Sequence, residues 1–211
     1  INNVNYICSV NNFSIMKNKE IQEKRIKNYF VEATREILKG EGLQAVSVRN
    51  VADRAGYSYA TLYNYFKDIN ELIFVCVSDF QEECKIFVAG KSSKKTKGTE
   101  RLKASVLAYI HYFVEYPGIF DLFYLAKPTG AGINSAALHL IAKSLDDVCE
   151  EDWNYCIREN LIPAENIENL KSQLRFSVTG MLLFYMNRRY PETHDEFLLQ
   201  VKKQMDTIIK N

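Results

Sequence analysis

Hydrogen-bonding side chains are concentrated in the short stretch from Ser58 to Lys67. Hydroxyl, phenol, amide and amino groups alternate there with small or apolar residues: Ser58, Tyr59, Ala60, Thr61, Tyr63, Asn64, Tyr65 and Lys67. On a protruding helix, these groups suit a major groove, which displays donors, acceptors and thymine methyl groups. The same residues are also typical of a surface helix whose tyrosines pack against their neighbours. The stretch alone leaves both interpretations open.

The surrounding pattern predicts the elements that would position these groups. Apolar residues recur at helical spacing over 20–39, which predicts an amphipathic helix that ends at Gly40. Ser47 can cap a second, short helix closed by Gly56, and Ser58 can cap a third. Two short helices joined by a tight turn and supported by a longer helix form a helix-turn-helix. We therefore predict this motif between residues 20 and 67.

The rest of the chain is also predicted to be helical. Four prolines and nine glycines in 211 residues are few turn-formers, and no run alternates β-branched and polar residues. Asp68 followed by Glu71 predicts a capping-box start for a fourth helix. A loop is predicted over 91–98, and turns at Pro117, 129–132, Pro163 and Pro191. They separate helices predicted over 101–116, 118–125, 135–160, 164–190 and 195–210.

These elements predict an all-α chain in three parts. Residues 1–18 are expected to be a disordered or vector-encoded extension, with Met16 as a natural start. Residues 19–67 form the helix-turn-helix domain, and 68–211 a larger helical domain for ligand binding and dimerisation. The stretch 17–67 holds ten Lys or Arg and six Asp or Glu, although the whole chain carries only +1. A basic segment on a mildly acidic body suits a polyanion partner.

Other function classes find little support in the sequence. There is no nucleotide loop, nucleophile elbow or metal-spaced cluster, so we expect neither an enzyme nor a cofactor. The odd number of cysteines without a CxxC motif argues against disulfides and zinc and favours a reducing cytoplasm. Cys149 and Cys156 could share a helix face as a thiol sensor, but buried small hydrophobes are the simpler interpretation. No apolar stretch is long enough to span a bilayer, so we expect no membrane partner.

The C-terminal half is rich in aromatic residues that could line a cavity for an apolar or aromatic small molecule. Core packing explains most such stripes, so both interpretations stay open. His111 and His139 are possible hydrogen-bond donors to the same ligand. The candidate lining residues are Tyr109, Tyr112, Phe113, Tyr116, Phe120, Phe123, Tyr124, Trp153, Phe176 and Tyr185.

The segment SVRNVADRAG (47–56), continued by YSYATLYNYFK (57–67) and DINEL (68–72), resembles the TetR family of transcriptional regulators. The resemblance covers roughly residues 25–80 and implies phosphate contacts from Ser47, Thr61, Tyr63 and Tyr65. The candidates for contacts with base edges are then Arg49, Tyr59, Ala60 and Asn64. Arg49 is the candidate for contacting a guanine, because two N–H groups of its guanidinium can donate to O6 and N7 together. Alternatively, the Arg49 side chain contacts a phosphate or is simply solvated.

Two positions depart from the family pattern. Tyr59 and Ile69 stand where basic residues are common, which removes two possible phosphate contacts, and Lys67 is a candidate to compensate. The resemblance implies a repressor that binds an operator in double-stranded DNA and leaves it when a small molecule binds. A protein-interaction module of the same fold with little DNA affinity is the alternative.

The family also implies a homodimer built from the last two helices of each subunit. The candidate interface residues are Leu174, Val178, Gly180, Met181, Tyr185, Leu198, Val201, Met205 and Ile208. Gly180 is costly inside a helix, so a close helix crossing would explain it; a local kink or a tolerated residue are the alternatives.

Overall fold

The computed structural model describes residues 2–126, 135–187 and 190–209, with side chains from Asn18 onward. The turn predicted at 129–132 lies outside these ranges. The described ranges are helical, which confirms the all-α prediction. They contain ten α-helices: α1 (Asn2–Gly40), α2 (Val48–Ala55), α3 (Tyr59–Leu62), α4 (Ile69–Ser92), α5 (Thr99–Glu115), α6 (Pro117–Phe120), α7 (Ser135–Val148), α8 (Glu150–Arg158), α9 (Ile167–Met186) and α10 (His194–Ile208).

The first helix is longer than expected. We predicted a helix over 20–39 after an extension, whereas α1 runs without interruption from Asn2 to Gly40. No proline or glycine interrupts the sequence between these ends, so the backbone has no breaker there. After Gly40 the chain turns through Gly42, whose φ of 80° suits glycine.

Local capping chemistry sets the ends of α2 and α3 as predicted. The Ser47 hydroxyl accepts a hydrogen bond from the backbone N–H of Asn50 at 3.1 Å. Gly56 ends α2 in the left-handed conformation, with φ 76° and ψ 26°, as glycine at a helix C-cap commonly does. Ser58 then caps α3 through the N–H of Thr61. The α2–turn–α3 unit is thus specified by three side-chain and backbone caps.

Helix α4 connects the helix-turn-helix to the rest of the chain. The Asp68 carboxylate accepts from the N–H groups of Asn70 and Glu71, both at 2.9 Å. Glu71 accepts from the N–H of Lys67 at 2.7 Å, one residue before the cap itself. The predicted capping box is therefore present in a slightly wider form. Beyond it, α4 packs against α1, α5 and α7.

The C-terminal helices differ from the prediction at three places. The helix expected over 118–125 is α-helical only to Phe120 and continues as a π-helical turn, Asp121–Leu125. The helix expected over 135–160 is two helices, because the chain leaves helical geometry at Cys149 (φ −97°, ψ 8°). The helix expected over 164–190 begins as a short 3₁₀ turn, Ala164–Asn166, and its α-helical part ends at Met186. Asp152 on α8 binds Arg101 and Ser105 of α5, which fixes α8 against α5.

Candidate nucleic-acid interface and ligand groove

Helix α3 and the residues directly after it present polar side chains to solvent. The side chains of Tyr59 and Tyr63 are 65% and 54% exposed, and Ala60 and Asn64 are exposed beside them. Leu62 and Phe66 point into the core of the helix-turn-helix. The helix itself is a single turn. Hydrogen bonds from the N–H groups of residues 65 and 66 to the Leu62 carbonyl continue the turn beyond its end. The residues of this segment that are expected to contact bases, Tyr59, Ala60 and Asn64, are therefore all exposed.

Three hydroxyl groups accompany these residues: those of the capping residues Ser47 and Ser58, and that of Thr61. Ser58 Oγ and Thr61 Oγ1 are 2.9 Å apart, and Ser58 also accepts from the backbone of residue 61. Ser47 is exposed at the start of α2. A hydroxyl that accepts a cap hydrogen bond keeps its own proton to donate. Ser47 can therefore donate to a phosphate oxygen, and of the paired Ser58 and Thr61 hydroxyls one can do so while it accepts from the other.

Arg49 and Lys67 are exposed cations of the helix-turn-helix. The side chain of Arg49 is 93% exposed, and its Nε lies 4.0 Å from Asp53 Oδ2. An ion pair that is so exposed contributes little, so the guanidinium can reorient towards a base. Lys67 is exposed. Tyr65 is half-buried, with its ring centroid 6.2 Å from that of Phe30, and Ile69 packs against the core.

Several basic residues counted in the sequence have structural partners. Arg35 and Lys39 on α1 both bind the Glu83 carboxylate of α4, at 2.7 and 2.9 Å. Arg54 binds Glu41 at 2.6 Å. These ion pairs hold the helix-turn-helix together and against α4, so they do not belong to a free basic surface.

A basic and aromatic surface on α1 was missed by the sequence reasoning. Lys24, Arg25, Asn28 and Tyr29, with Ile21, line a groove of about 550 Å³. The Tyr29 ring lies 6.1 Å from Tyr57 in the turn between α2 and α3, so this surface adjoins the helix-turn-helix. The basic run Lys24, Arg25 and Lys27 is the sequence signal for this surface.

The aromatic residues of α5 pack against one another. The Phe113 ring centroid lies 4.9 Å from Tyr109 and 5.5 Å from Tyr112. It also lies 5.4 Å from Phe123 and 6.4 Å from Phe120. Tyr109, Tyr112, Phe113, Phe120 and Phe123 are buried, and their contacts are those of a filled core rather than of an open cavity.

The other candidate pocket residues lie apart from this cluster. Tyr116 stacks under the ammonium of Lys39, Trp153 is buried on α8, and Tyr185 stacks on Phe197 with centroids 4.1 Å apart. Phe176 is 76% exposed. The structure therefore does not bring the ten aromatic candidates together around one space.

A groove of about 640 Å³ opens instead between α7 and α9. Its apolar wall is formed by Leu138, Ile141, Ala142, Leu145 and Phe176, and its polar groups belong to Tyr124, His139, Lys143, Arg175 and Thr179. The Tyr124 hydroxyl lies 2.6 Å from that of Tyr109, which joins the groove to the aromatic core. Of the sequence candidates, only Phe176, Tyr124 and His139 line it.

Arg175 is held by Asp146, a half-buried carboxylate on α7. The pKa of Asp146 is raised overall, because the effect of burial exceeds the opposing effect of the neighbouring Arg175.

The remaining polar candidates of the C-terminal half lie outside the groove. His111 lies 5.8 Å from His194, and burial lowers the pKa of His111. Burial also raises the pKa of the thiols of Cys149 and Cys156, which leaves them protonated and poorly nucleophilic.

The proposed interface residues of α9 and α10 divide into two groups. Leu174, Val178, Val201 and Met205 are buried within the subunit. Met181, Leu198 and Ile208 are half-buried, and a side chain at Gly180 would meet open space. The exposed apolar residues of α9 are Phe176, Leu183 and Phe184.

Two absences hold for the described ranges. There, no three His, Cys, Asp or Glu residues form a group that could hold a metal ion. Within the same ranges, no helix has both the length and the hydropathy to cross a membrane.

Comparison with known proteins identifies the N-terminal part. Residues 30–76 match the family model described as "Bacterial regulatory proteins, tetR family". This range includes the end of α1, both short helices and the start of α4.

Solved structures share most of the fold at low sequence identity. A TetR family transcription regulator from Marinobacter aquaeolei superimposes with a TM-score of 0.60 at 16% identity, over 89% of this chain and 97% of the other. The transcriptional regulator FadR from Bacillus subtilis, in complex with stearoyl-CoA, gives a TM-score of 0.66 at 12% sequence identity. The match covers 86% of this chain and 97% of FadR. RolR in complex with resorcinol gives a TM-score of 0.64 at 14% sequence identity, and the match covers 89% of each chain. The chain therefore carries the helix-turn-helix domain of the TetR family within the fold of that family's regulators.

Proposed function

We propose that this protein is a transcriptional repressor that binds operator DNA as a homodimer and releases it when a small molecule binds its C-terminal helices. The observation that carries the proposal is the exposure of α3 and the two residues after it, where Tyr59, Tyr63 and Asn64 stand clear of the core. A one-turn helix followed by an exposed phenol and amide matches the donors and acceptors of a major groove.

The proposal divides the contacts by chemistry. Ser47, Ser58, Thr61, Tyr63, Tyr65 and Lys67 would position the protein on phosphates, while Arg49, Tyr59, Ala60 and Asn64 would read bases. Phosphate contacts set register, whereas base-edge contacts carry sequence information. Residues 19–67 would act as the DNA-binding domain and 68–211 as the ligand-binding and dimerisation domain. The boundary falls beside Asp68, the cap of α4.

A second copy of the chain is needed because one recognition helix covers few base pairs. Two such helices reach successive major grooves when they stand about 34–36 Å apart. An exposed stripe on α9, formed by Phe176, Gly180, Leu183 and Phe184, supports an interface there. The spacing i, i+4, i+7, i+8 places these residues on one helix face, and three of them are large exposed hydrophobics. We call them the α9 stripe.

Small-molecule control is supported by the fold and the groove. FadR and RolR share this fold, and their structures contain stearoyl-CoA and resorcinol. A ligand releases DNA only if it binds the DNA-free conformation more tightly. Operator DNA must then weaken ligand binding by the same factor.

Fluorescence anisotropy with two labelled duplexes tests the DNA part. One duplex carries the region upstream of the protein's own coding sequence, and the control carries the same bases in shuffled order. We expect tighter binding to the first, with a logarithmic affinity that falls linearly with the logarithm of salt concentration. Equal, weak binding to both at physiological salt would favour the protein-interaction module.

A further inference from the structure

The groove between α7 and α9 combines an apolar wall with a cationic rim. Ile141, Ala142 and Leu145 lie on α7 and face Phe176 on α9. His139 and Lys143 are four residues apart, so they lie on one side of α7. Arg175 reaches the groove from α9. A volume of about 640 Å³ lies within the range of small-molecule sites.

The charge of the groove is one-sided. Among the described residues that line it, none is a carboxylate. Arg175 uses Nη1 to bind Asp146, which is not among the described lining residues, and a guanidinium has further N–H donors. Lys143 is exposed, and no ion pair with another described residue holds it. The groove therefore has at least one cation in excess of its neighbouring carboxylate.

We propose that this groove binds an amphiphilic carboxylate, whose apolar body lies on the α7 wall and whose anionic end is bound by Lys143 and Arg175. The Tyr124 and Thr179 hydroxyls offer further donors inside the groove. The inference rests on the proposed function, because it assigns the chemistry of the small molecule that controls DNA binding. It also replaces the purely apolar or aromatic ligand that the aromatic residues suggested.

Calorimetric titration of the full chain with decanoate, in the absence of DNA, tests the proposal. Decanol is the matched neutral probe. We expect saturable binding of one decanoate per chain and at least about tenfold weaker binding of decanol, since one charge-assisted hydrogen bond contributes about that factor. Lys143→Gln should weaken decanoate binding about tenfold, whereas Lys203→Gln, at an exposed position on α10, should leave it unchanged.

A second pair of variants tests the location of the site. Ala142→Phe fills the groove and should abolish decanoate binding, while Ala136→Phe, exposed on the same helix but outside the lining, should not. Equal affinity for decanol, or undiminished decanoate binding by Ala142→Phe, overturns the proposal. Sedimentation velocity of Ala142→Phe should match that of the unchanged protein, since residue 142 lies on α7 and outside the α9 stripe. Specific operator binding by a protein that ignores decanoate rejects the groove ligand and leaves the proposed function standing.

Discussion

Gly118, at the start of α6, lies so close to the end of α1 that a Cβ there would stand 2.4 Å from the carbonyl oxygen of Leu38. The carbonyl oxygen of Lys39 would be 2.5 Å away. Both neighbours are backbone atoms, which cannot swing aside as a flexible side chain can. The contact joins the helix-turn-helix to the helix that leads into Tyr124 and the groove. The absence of a side chain at residue 118 is therefore a condition for this packing.

Gly118→Ala should lower the free energy of unfolding by about 1–3 kcal/mol, the usual cost of overpacking. Gly90→Ala is the matched control, because a Cβ at Gly90 in α4 meets nothing within 4 Å. That change should raise stability by about 0.5–1 kcal/mol through helix propensity. Urea unfolding followed by circular dichroism measures both. Equal effects of the two substitutions would show that α6 can move away from α1 without cost.

Lys67→Ala should weaken binding to operator and to shuffled DNA by similar factors. A lysine that neutralises one phosphate releases about one counterion, so the slope of log affinity against log salt should fall by roughly 0.9. Anisotropy titrations at several salt concentrations measure the slope. Lys203→Ala, at the exposed position on α10, should keep the original slope. An unchanged slope for Lys67→Ala would remove this residue from the DNA contacts.

Arg49→Ala should act on specificity instead. If the guanidinium pairs with O6 and N7 of a guanine, its loss costs about 1–3 kcal/mol on the preferred base pair and little on the other three. Competition among operator duplexes with each base pair varied in turn measures this. Asp53→Ala serves as the control, because it removes only the exposed partner of Arg49. If Arg49→Ala leaves the ranking of the duplexes unchanged, Arg49 does not read a base.

The residues that the sequence could place are those whose partners are local. Ser47, Gly56 and Asp68 each cap a helix through atoms within five residues, so a short window contains the whole interaction. Cys149 shows the opposite case. No proline or glycine marks the break between α7 and α8, and Cys149 is buried among distant residues, so its non-helical geometry depends on tertiary packing.

The candidate ligand and interface residues were harder to place for a related reason. Helix α9 is apolar on two faces, with Leu174 and Val178 inside and Phe176 and Phe184 outside. Periodicity identifies both faces but cannot tell which one meets the core. Likewise, aromatic rings on α5 fill a core as readily as they line a cavity. Only their mutual contacts, such as Phe113 on Tyr109, distinguish the two.

Buried thiols should make stability fall on the alkaline side. Burial raises the pKa of Cys76 to about 12, and it also raises that of Cys84. Above about pH 8.5 the unfolded chain loses thiol protons that the folded chain keeps. The free energy of unfolding therefore falls with rising pH, by at most about 1.4 kcal/mol per unit for each thiol.

Urea unfolding at about pH 8 and about pH 9.5 should show this loss. Cys84→Ala should show a smaller loss than the unchanged protein, because one of the thiols no longer titrates in the unfolded chain. The comparison concerns the change with pH, so any constant cost of the substitution cancels. Equal losses in both proteins would mean that Cys84 ionises alike in the folded and unfolded states.

The α9 stripe should hold the dimer together. Phe184 is 53% exposed and Phe176 is 76% exposed, and burying two such rings against a second copy is strongly favourable. Phe184→Glu should therefore give a monomer in sedimentation velocity and lose specific operator binding, while helical circular dichroism persists. Gly180→Leu should act in the same direction if α9 helices cross closely there, since its Cβ meets open space within one subunit. Leu199→Glu is the control, because Leu199 is 51% exposed on α10 and outside the stripe, so this variant should remain dimeric. A dimeric Phe184→Glu protein would move the interface away from α9, and a monomeric Leu199→Glu protein would move it to α10.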